Sequence, residues 1–232
     1  AIATVILPTL SRNHVGQDES GFSGNMDWAV RMVCLLGIPA ATGLGVLAEP
    51  ILSVIFQRGA FTAETTRMAS YSLTAYSFGL LSFMLVKVLA PGYYSRQDTK
   101  TPVKYGIWCM AANMLFNLIF ALPYGYIGLA IATSLSASLN AVLLYIGLYR
   151  QNVYKISRLT RGFVMRVVVA TTAMAMSIMW MQYNVPFTSL VFKDQVISLT
   201  LTILLAVAVF GASLFMMGIR FRHFKSRNFN PA

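Results

Sequence analysis

The stretch VISLTLTILLAVAVFGASLFMMGI, residues 196–219, holds 24 positions without one charged side chain. As a helix it rises about 36 Å, which exceeds the ~30 Å hydrocarbon core of a bilayer. It reads as a transmembrane helix. Outward from it toward the N-terminus lie five more apolar segments, at about 163–183, 125–148, 105–122, 69–94 and 28–56. All but 105–122 comfortably reach the ~20 residues a span requires. The predicted fold class is an all-α, polytopic transmembrane helix bundle. Segment 28–56 is longer than one crossing needs and contains Pro39, Gly43, Gly45, Glu49 and Pro50, so a tilt or break is expected there. The run Leu122-Pro123-Tyr124-Gly125 reads as a tight turn between antiparallel neighbours.

Composition agrees. Hydrophobic residues make up 57% of the 232 and charged residues 11%, less than half the ~25% of soluble domains. Too few charges exist to coat a globule, and the hydrophobicity excludes a disordered chain. Net charge is +11, which in a soluble protein would suggest nucleic acid. Here the basic residues lie mostly between apolar segments, so no nucleic-acid partner is expected. Alternate loops divide the charge unequally. One set carries Arg12, then Arg96, Lys100 and Lys104, then Arg150, Lys155, Arg158 and Arg161, then Arg220, Arg222, Lys225 and Arg227. The other carries only Arg58, Arg67 and Lys193. Cytoplasmic loops are the Lys/Arg-rich ones, which predicts a cytoplasmic C-terminus. Arg31 and Arg166 sit just inside helix starts on that same side and can snorkel to it. Aromatic residues at segment ends, among them Trp28, Tyr93, Tyr94, Tyr124, Trp180 and Tyr183, read as the interfacial belt.

No catalytic constellation is present. Cys34 and Cys109 fall inside apolar segments and read as small core residues. His14 and His223 have no acid or thiol at ligand spacing. Asp18 and Glu19 are adjacent but have no partner, and no phosphate-binding loop occurs. The chain reads as a non-enzyme without an organic cofactor. Its opening residues, Ala1 to Pro8, are already apolar and read as the end of a helix begun upstream, in a C-terminal part of a longer protein.

Four features carry functional readings. Lys87 lies inside segment 69–94; it either lines a water-filled cavity that attracts an anion or snorkels about two turns to the headgroups. Beside it, Pro91 and Gly92 offer a helix breaker suited to a gating bend. Glu49 is either a proton- or cation-carrying carboxylate or a helix-end residue near the surface. Asn113 and Asn117 are four apart on one helix face, with Thr133 and Ser134 on the next helix; they offer either oxygens for sodium or interhelical hydrogen bonds. Small residues repeat at four-residue spacing in Gly128, Ala132, Ser136 and in Ala130, Ser134, Ser138, a pattern that permits close helix packing.

The run Lys87-Val88-Leu89-Ala90-Pro91-Gly92-Tyr93-Tyr94-Ser95-Arg96-Gln97-Asp98-Thr99-Lys100-Thr101-Pro102-Val103-Lys104 closely resembles the MurJ/MviN family of lipid II flippases. Ile6-Leu7-Pro8-Thr9-Leu10-Ser11, Pro39, the Phe56-Gln57-Arg58-Gly59-Ala60-Phe61-Thr62 turn and the basic tail are similar as well. The resemblance implies a fourteen-helix protein of the MOP exporter superfamily, with two MATE-like six-helix lobes and two extra C-terminal helices. On that template residues 1–12 end a truncated transmembrane helix. Residues 13–149 supply four second-lobe spans, and 150–232 supply the two C-terminal spans and a basic cytoplasmic tail. The implied function is moving undecaprenyl-diphosphate-linked peptidoglycan precursor from the inner to the outer leaflet of the bacterial inner membrane by alternating access. Lys87, Arg31 and Arg96 become the expected substrate-binding cations, with Pro91 and Gly92 the expected gating residues. Segments 163–183 and 196–219 correspond to a groove for the lipid tail. Some members bind sodium, and Asn113, Asn117 and Thr133 fall at the matching places, with an amide where those members carry an aspartate. The implied partners are the lipid-linked precursor, membrane lipids and other cell-wall synthesis proteins.

Rival readings are another superfamily exporter, such as an O-antigen polysaccharide flippase or a drug or cation antiporter, a membrane glycosyltransferase or polymerase, and a non-transporting scaffold. The run from Lys87 to Lys104 argues against the first group. Only seven acidic residues argue against the second, and the intramembrane Lys87 against the third.

Overall fold

The computed structural model describes residues 10, 19–57, 61–185 and 192–218. The expected helix stub at 1–12 (Leu10 apart), Arg12, His14, Arg58 and the basic tail from 220 lie outside the described residues. Among the described residues the chain forms α1 Glu19–Val46, α2 Ala48–Phe56, α3 Ala63–Tyr94, α4 Lys100–Tyr124, α5 Tyr126–Arg150, α6 Arg158–Asn184 and α7 Phe192–Met216, with no strand. All except α2 are long and apolar enough to cross a membrane. The short segment 105–122 extends to the 25 residues of α4, a full span.

The structure makes two expectations more specific and corrects a third. Segment 28–56 does break, but not at Pro39, which rides inside α1. The break falls at Leu47, where α1 stops after Val46 and α2 begins at Ala48. The physical cause is Pro50, whose ring would clash with the carbonyl four residues back, that of Val46. Placed in the first turn of α2, Pro50 costs no hydrogen bond, because that N–H would be unpaired anyway. Glu49 shares that first turn and is exposed, where a carboxylate favours the positive end of the helix dipole. The second concerns the expected turn at 122–125, which is present. Pro123 and Tyr124 still belong to α4, and Gly125 alone makes the reversal, at φ 56° and ψ −131°. A side chain resists that positive φ. The third is Tyr93, expected in the interfacial belt but 1% exposed, because its hydroxyl is bonded inside the bundle.

The register of the helices follows from named contacts. Helix α1 runs antiparallel to α3: Gly37 lies against Leu81 and Met84, Gly45 against Ser77, and Gly92 against Met26. It runs parallel to α6, with Asp27 beside Ser157 and the Val46 carbonyl accepting from Gln182 Nε2 at 3.1 Å. Helices α3 and α5 run parallel, joined by Ser134 Oγ donating to the Ala75 carbonyl (2.7 Å) and by the Ser82–Ser138 hydroxyl pair (3.0 Å). Helix α7 packs on α6 and α2.

The two small-residue stripes serve two different neighbours. Gly128 and Ser136 face α4: a Cβ on Gly128 would strike the Phe120 carbonyl, and Ser136 Oγ donates to the Cys109 carbonyl at 2.7 Å. Ser134 and Ser138 face α3 through the bonds given above. In lipid no hydrophobic force draws helices together, so close backbone approach and such bonds hold the bundle, at about 0.6 kcal/mol per bond. The main core sits where α1, α3 and α5 meet, around Met26, Val33, Val88, Tyr93, Leu144 and Leu148.

Candidate functional site

The family-like run from Lys87 to Lys104 folds into a corner. Tyr93 donates its hydroxyl proton to the Leu144 carbonyl at 2.7 Å. Gly147 lies beneath that hydroxyl, and a Cβ there would collide with it. Gly92 is buried against Met26 and Leu148, so it closes a three-helix contact. The chain then reverses. The Arg96 and Asp98 N–H groups donate to the Tyr93 carbonyl at 2.9 and 3.2 Å, and Gln97 takes φ 61°. Asp98 Oδ1 accepts from the Thr101 N–H at 3.0 Å and starts α4. Partial burial pushes the Asp98 carboxyl up, but its bonds to Thr101 and Lys100 and the nearby Arg96 charge bring it below the usual carboxylate value. Pro91 and Gly92, expected to break the helix, instead sit buried in the last turn of an α3 that runs unbroken to Tyr94. Only one carbonyl, that of Lys87, loses a helical partner to Pro91.

The expected cations occupy distinct places. Lys87 is exposed and forms no hydrogen bond or ion pair with a described residue. It shares one face of α3 with Tyr76, Phe83 and Tyr94, all exposed as well. This face has no neighbour among the described helices. Arg31 is half-buried, with Nε donating to the Asp27 carbonyl at 3.2 Å. The α1–α3 register sets Arg31 and Lys87 at about one level of the bundle, without a bond between them. Arg96 lies at the corner and donates to Gln151 Oε1 at 3.3 Å.

The Asn113 and Asn117 amides do meet: Asn117 Nδ2 donates to Asn113 Oδ1 at 3.1 Å. Thr133 is not drawn into that pair; its hydroxyl donates to the Leu129 carbonyl of its own helix at 2.8 Å. The Asn117 Oδ1 is buried without a partner, which leaves one amide oxygen free for a hard cation. No group of three or more acidic, His or Cys side chains suited to a metal occurs among the described residues. The oxygens fit sodium in kind, but they bring no charge.

Sequence reasoning missed Asp27. It is 7% exposed and accepts from the Tyr154 hydroxyl at 2.7 Å and from the Ser157 N–H at 3.4 Å. Ser157 in turn caps α6 by accepting from the Thr160 N–H at 3.1 Å. Burial, then the bond to the Asp27 carboxylate, push the Tyr154 phenol well above its ordinary value. This network ties the linker before α6 back onto α1. Its one signal in the sequence is an acid next to Trp28 at the edge of an apolar segment.

Comparison with known proteins places this geometry. A family profile described as lipid II flippase MurJ matches residues 1–197. A Vibrio cholerae protein named probable lipid II flippase MurJ is 53% identical over 97% of this chain and 43% of its own length. A Haemophilus influenzae protein of the same name is 49% identical over 98% of this chain and 46% of its own. The lipid II flippase MurJ of Burkholderia cenocepacia is 33% identical over 98% of this chain and 44% of its own. The chain thus spans less than half the length of these relatives. A solved structure of lipid II flippase MurJ in an inward closed conformation superposes with a TM-score of 0.69 at 24% identity, covering 93% of this chain and 43% of that one, and shares its fold. The chain is a multi-pass membrane protein, and it belongs to the lipid II flippase MurJ family.

Proposed function

We propose that the full-length protein containing this chain moves lipid-linked peptidoglycan precursor from the inner to the outer leaflet of the bacterial inner membrane. The observation that carries this reading is the family match along residues 1–197. The physical task is to take a diphosphate and a sugar-peptide headgroup past ~30 Å of hydrocarbon, where bare charge is prohibitive. The exposed face of α3 bearing Tyr76, Phe83, Lys87 and Tyr94 supports a cavity wall that the other lobe completes. Lys87 supplies positive charge to the diphosphate there, and Arg31 adds to the field at the same level. Arg96 meets the headgroup at the cytoplasmic rim. The corner at Gly92 is the packed fulcrum about which the lobe rocks as one body. The outer faces of α6 and α7 carry the polyprenyl tail in lipid.

The Lys/Arg asymmetry supports a cytoplasmic C-terminus. Asn113, Asn117 and Thr133 would hold a sodium ion through neutral oxygens, and the ion would supply a coupling gradient. Affinity in such sites rises with ligand charge, so the membrane potential acting on an anionic headgroup is the stronger drive.

The test is a strain depleted of its own flippase and supplied with the full-length protein. Precursor should become cleavable by an enzyme added outside the membrane, and Lys87→Ala should reduce that cleavage at unchanged protein level. No external precursor with the wild-type protein would sink the reading. Full activity of Lys87→Ala would remove that residue from the site and support the snorkelling alternative.

A further inference from the structure

A cavity of about 470 Å³ opens between α1, α3, α5 and α6, within the ~300–1,000 Å³ range of small-molecule sites. We propose that it holds an acyl chain of an anionic glycerophospholipid whose headgroup rests on Arg161. Its leaflet rests on the orientation given above; its chemistry does not.

The walls are apolar, with Val30, Leu89, Ala141 and Val164 contributed by the four helices. Most of the hydroxyls that reach them already have partners. Ser82 and Ser138 bond each other at 3.0 Å, Tyr154 bonds Asp27, and Thr160 accepts from Ser157. Water therefore finds few free polar groups inside, and a largely apolar cavity of this kind favours an apolar guest. The guest's shape follows from the lining. On α6 it runs from Thr160 to Val168, about 12 Å of helical rise, against a leaflet half-thickness of about 15 Å. That depth suits part of a fatty acyl chain and is shallow for a long polyprenyl tail.

Charge selects the headgroup. Arg161 is the one charged residue in the lining, and it is exposed at the mouth. It makes no ion pair with a described carboxylate. Arg158 lies one turn earlier on the same helix, and Lys155 stands over the Tyr149 ring at 5.5 Å. Three cations thus stand within seven positions beside an apolar slot. Basic pockets between spans on the cytoplasmic side bind anionic headgroups. A bound chain would fill the gap that separates α6 from α3 and α5.

The experiment uses the full-length protein in detergent, with dioleoyl-phosphatidylglycerol and dioleoyl-phosphatidylcholine as probes and native mass spectrometry as readout. The wild type should retain the anionic lipid in preference to the zwitterionic one. Arg161→Gln, a surface change, should lose about fivefold of that preference. Ala141→Phe, which fills the slot, should lose both lipids; if it fails to fold, Arg161→Gln alone still decides. Equal retention of both lipids by the wild type would overturn the proposal. So would displacement of the bound phospholipid by a polyprenyl diphosphate, which would give the cavity to the substrate. The assay reads no flipping, so its failure leaves the transport reading untouched and the converse also holds.

Discussion

Gly79→Ala tests whether close backbone approach holds α3 to α5. A Cβ at position 79 would lie 2.7 Å from Ser134 Oγ and 2.9 Å from Ser134 Cα. Carbon atoms rest about 3.5–4.0 Å apart, so the helices must separate by about 0.6 Å or more. The Ser134 bond to the Ala75 carbonyl, 2.7 Å in the structure, then stretches toward ~3.3 Å, near the limit for such a bond. Overpacking costs about 1–3 kcal/mol, and the weakened interhelical bond up to about 0.6 kcal/mol more. Relief of glycine in a helix returns about 0.5–1 kcal/mol. The net loss is about 0–3 kcal/mol. Gly106 in α4 is the internal control, since nothing lies within 4 Å of a Cβ there; Gly106→Ala should gain about 0.5–1 kcal/mol. The measurement is reversible unfolding of the full-length protein in mixed micelles, followed by tryptophan fluorescence. Equal stability of the two variants would refute the packing argument.

Tyr154→Phe should cost about 1.5–3 kcal/mol in the same assay, because it removes a buried bond to a carboxylate; a neutral result would show that the linker is held otherwise. The raised phenol also fixes a sign. The folded state keeps the Tyr154 proton that the unfolded chain releases near pH 10, so stability is complete below that pH and falls above it. The slope reaches about 1.4 kcal/mol per pH unit, and Tyr154→Phe should lose less stability between pH 9 and 11 than the wild type. Asp98→Ala should cost about 1 kcal/mol by uncapping α4, with Asp98→Asn closer to wild type; identical losses for both would assign the effect to charge. In intact spheroplasts, cysteine at Glu64 should react with an impermeant thiol reagent and cysteine at Thr99 should not; the reverse pattern would invert the topology.

What was legible in the sequence was whatever depends on local pattern. Hydropathy located every span among the described residues because a bilayer demands continuous apolar length. The four-residue spacing put Gly128 with Ser136 and Ser134 with Ser138, and the i, i+4 rule paired Asn113 with Asn117. What escaped depends on distant partners. Tyr93 resembles a belt residue until Leu144 is seen to be its acceptor. Asp27 resembles a stray end-of-helix acid until Tyr154 arrives from the far side of the fold. Pro39 and Pro50 look equally disruptive on paper, but only the second meets a carbonyl at a place where the chain can turn. For the cations, position along the helices was legible, whereas their surroundings depend on parts of the protein beyond these helices.

The bond between Asp27 and Tyr154 joins residues 127 positions apart. During synthesis at about 5–20 residues per second, that interval lasts roughly 6–25 seconds. By its end four spans have been made, and until then the carboxylate of Asp27 has no phenol to accept from. A chain that stops anywhere before position 154 lacks the phenol whose proton Asp27 accepts. The linker before α6 therefore fastens α1 only after four spans have been made, with α6 and α7 still to follow.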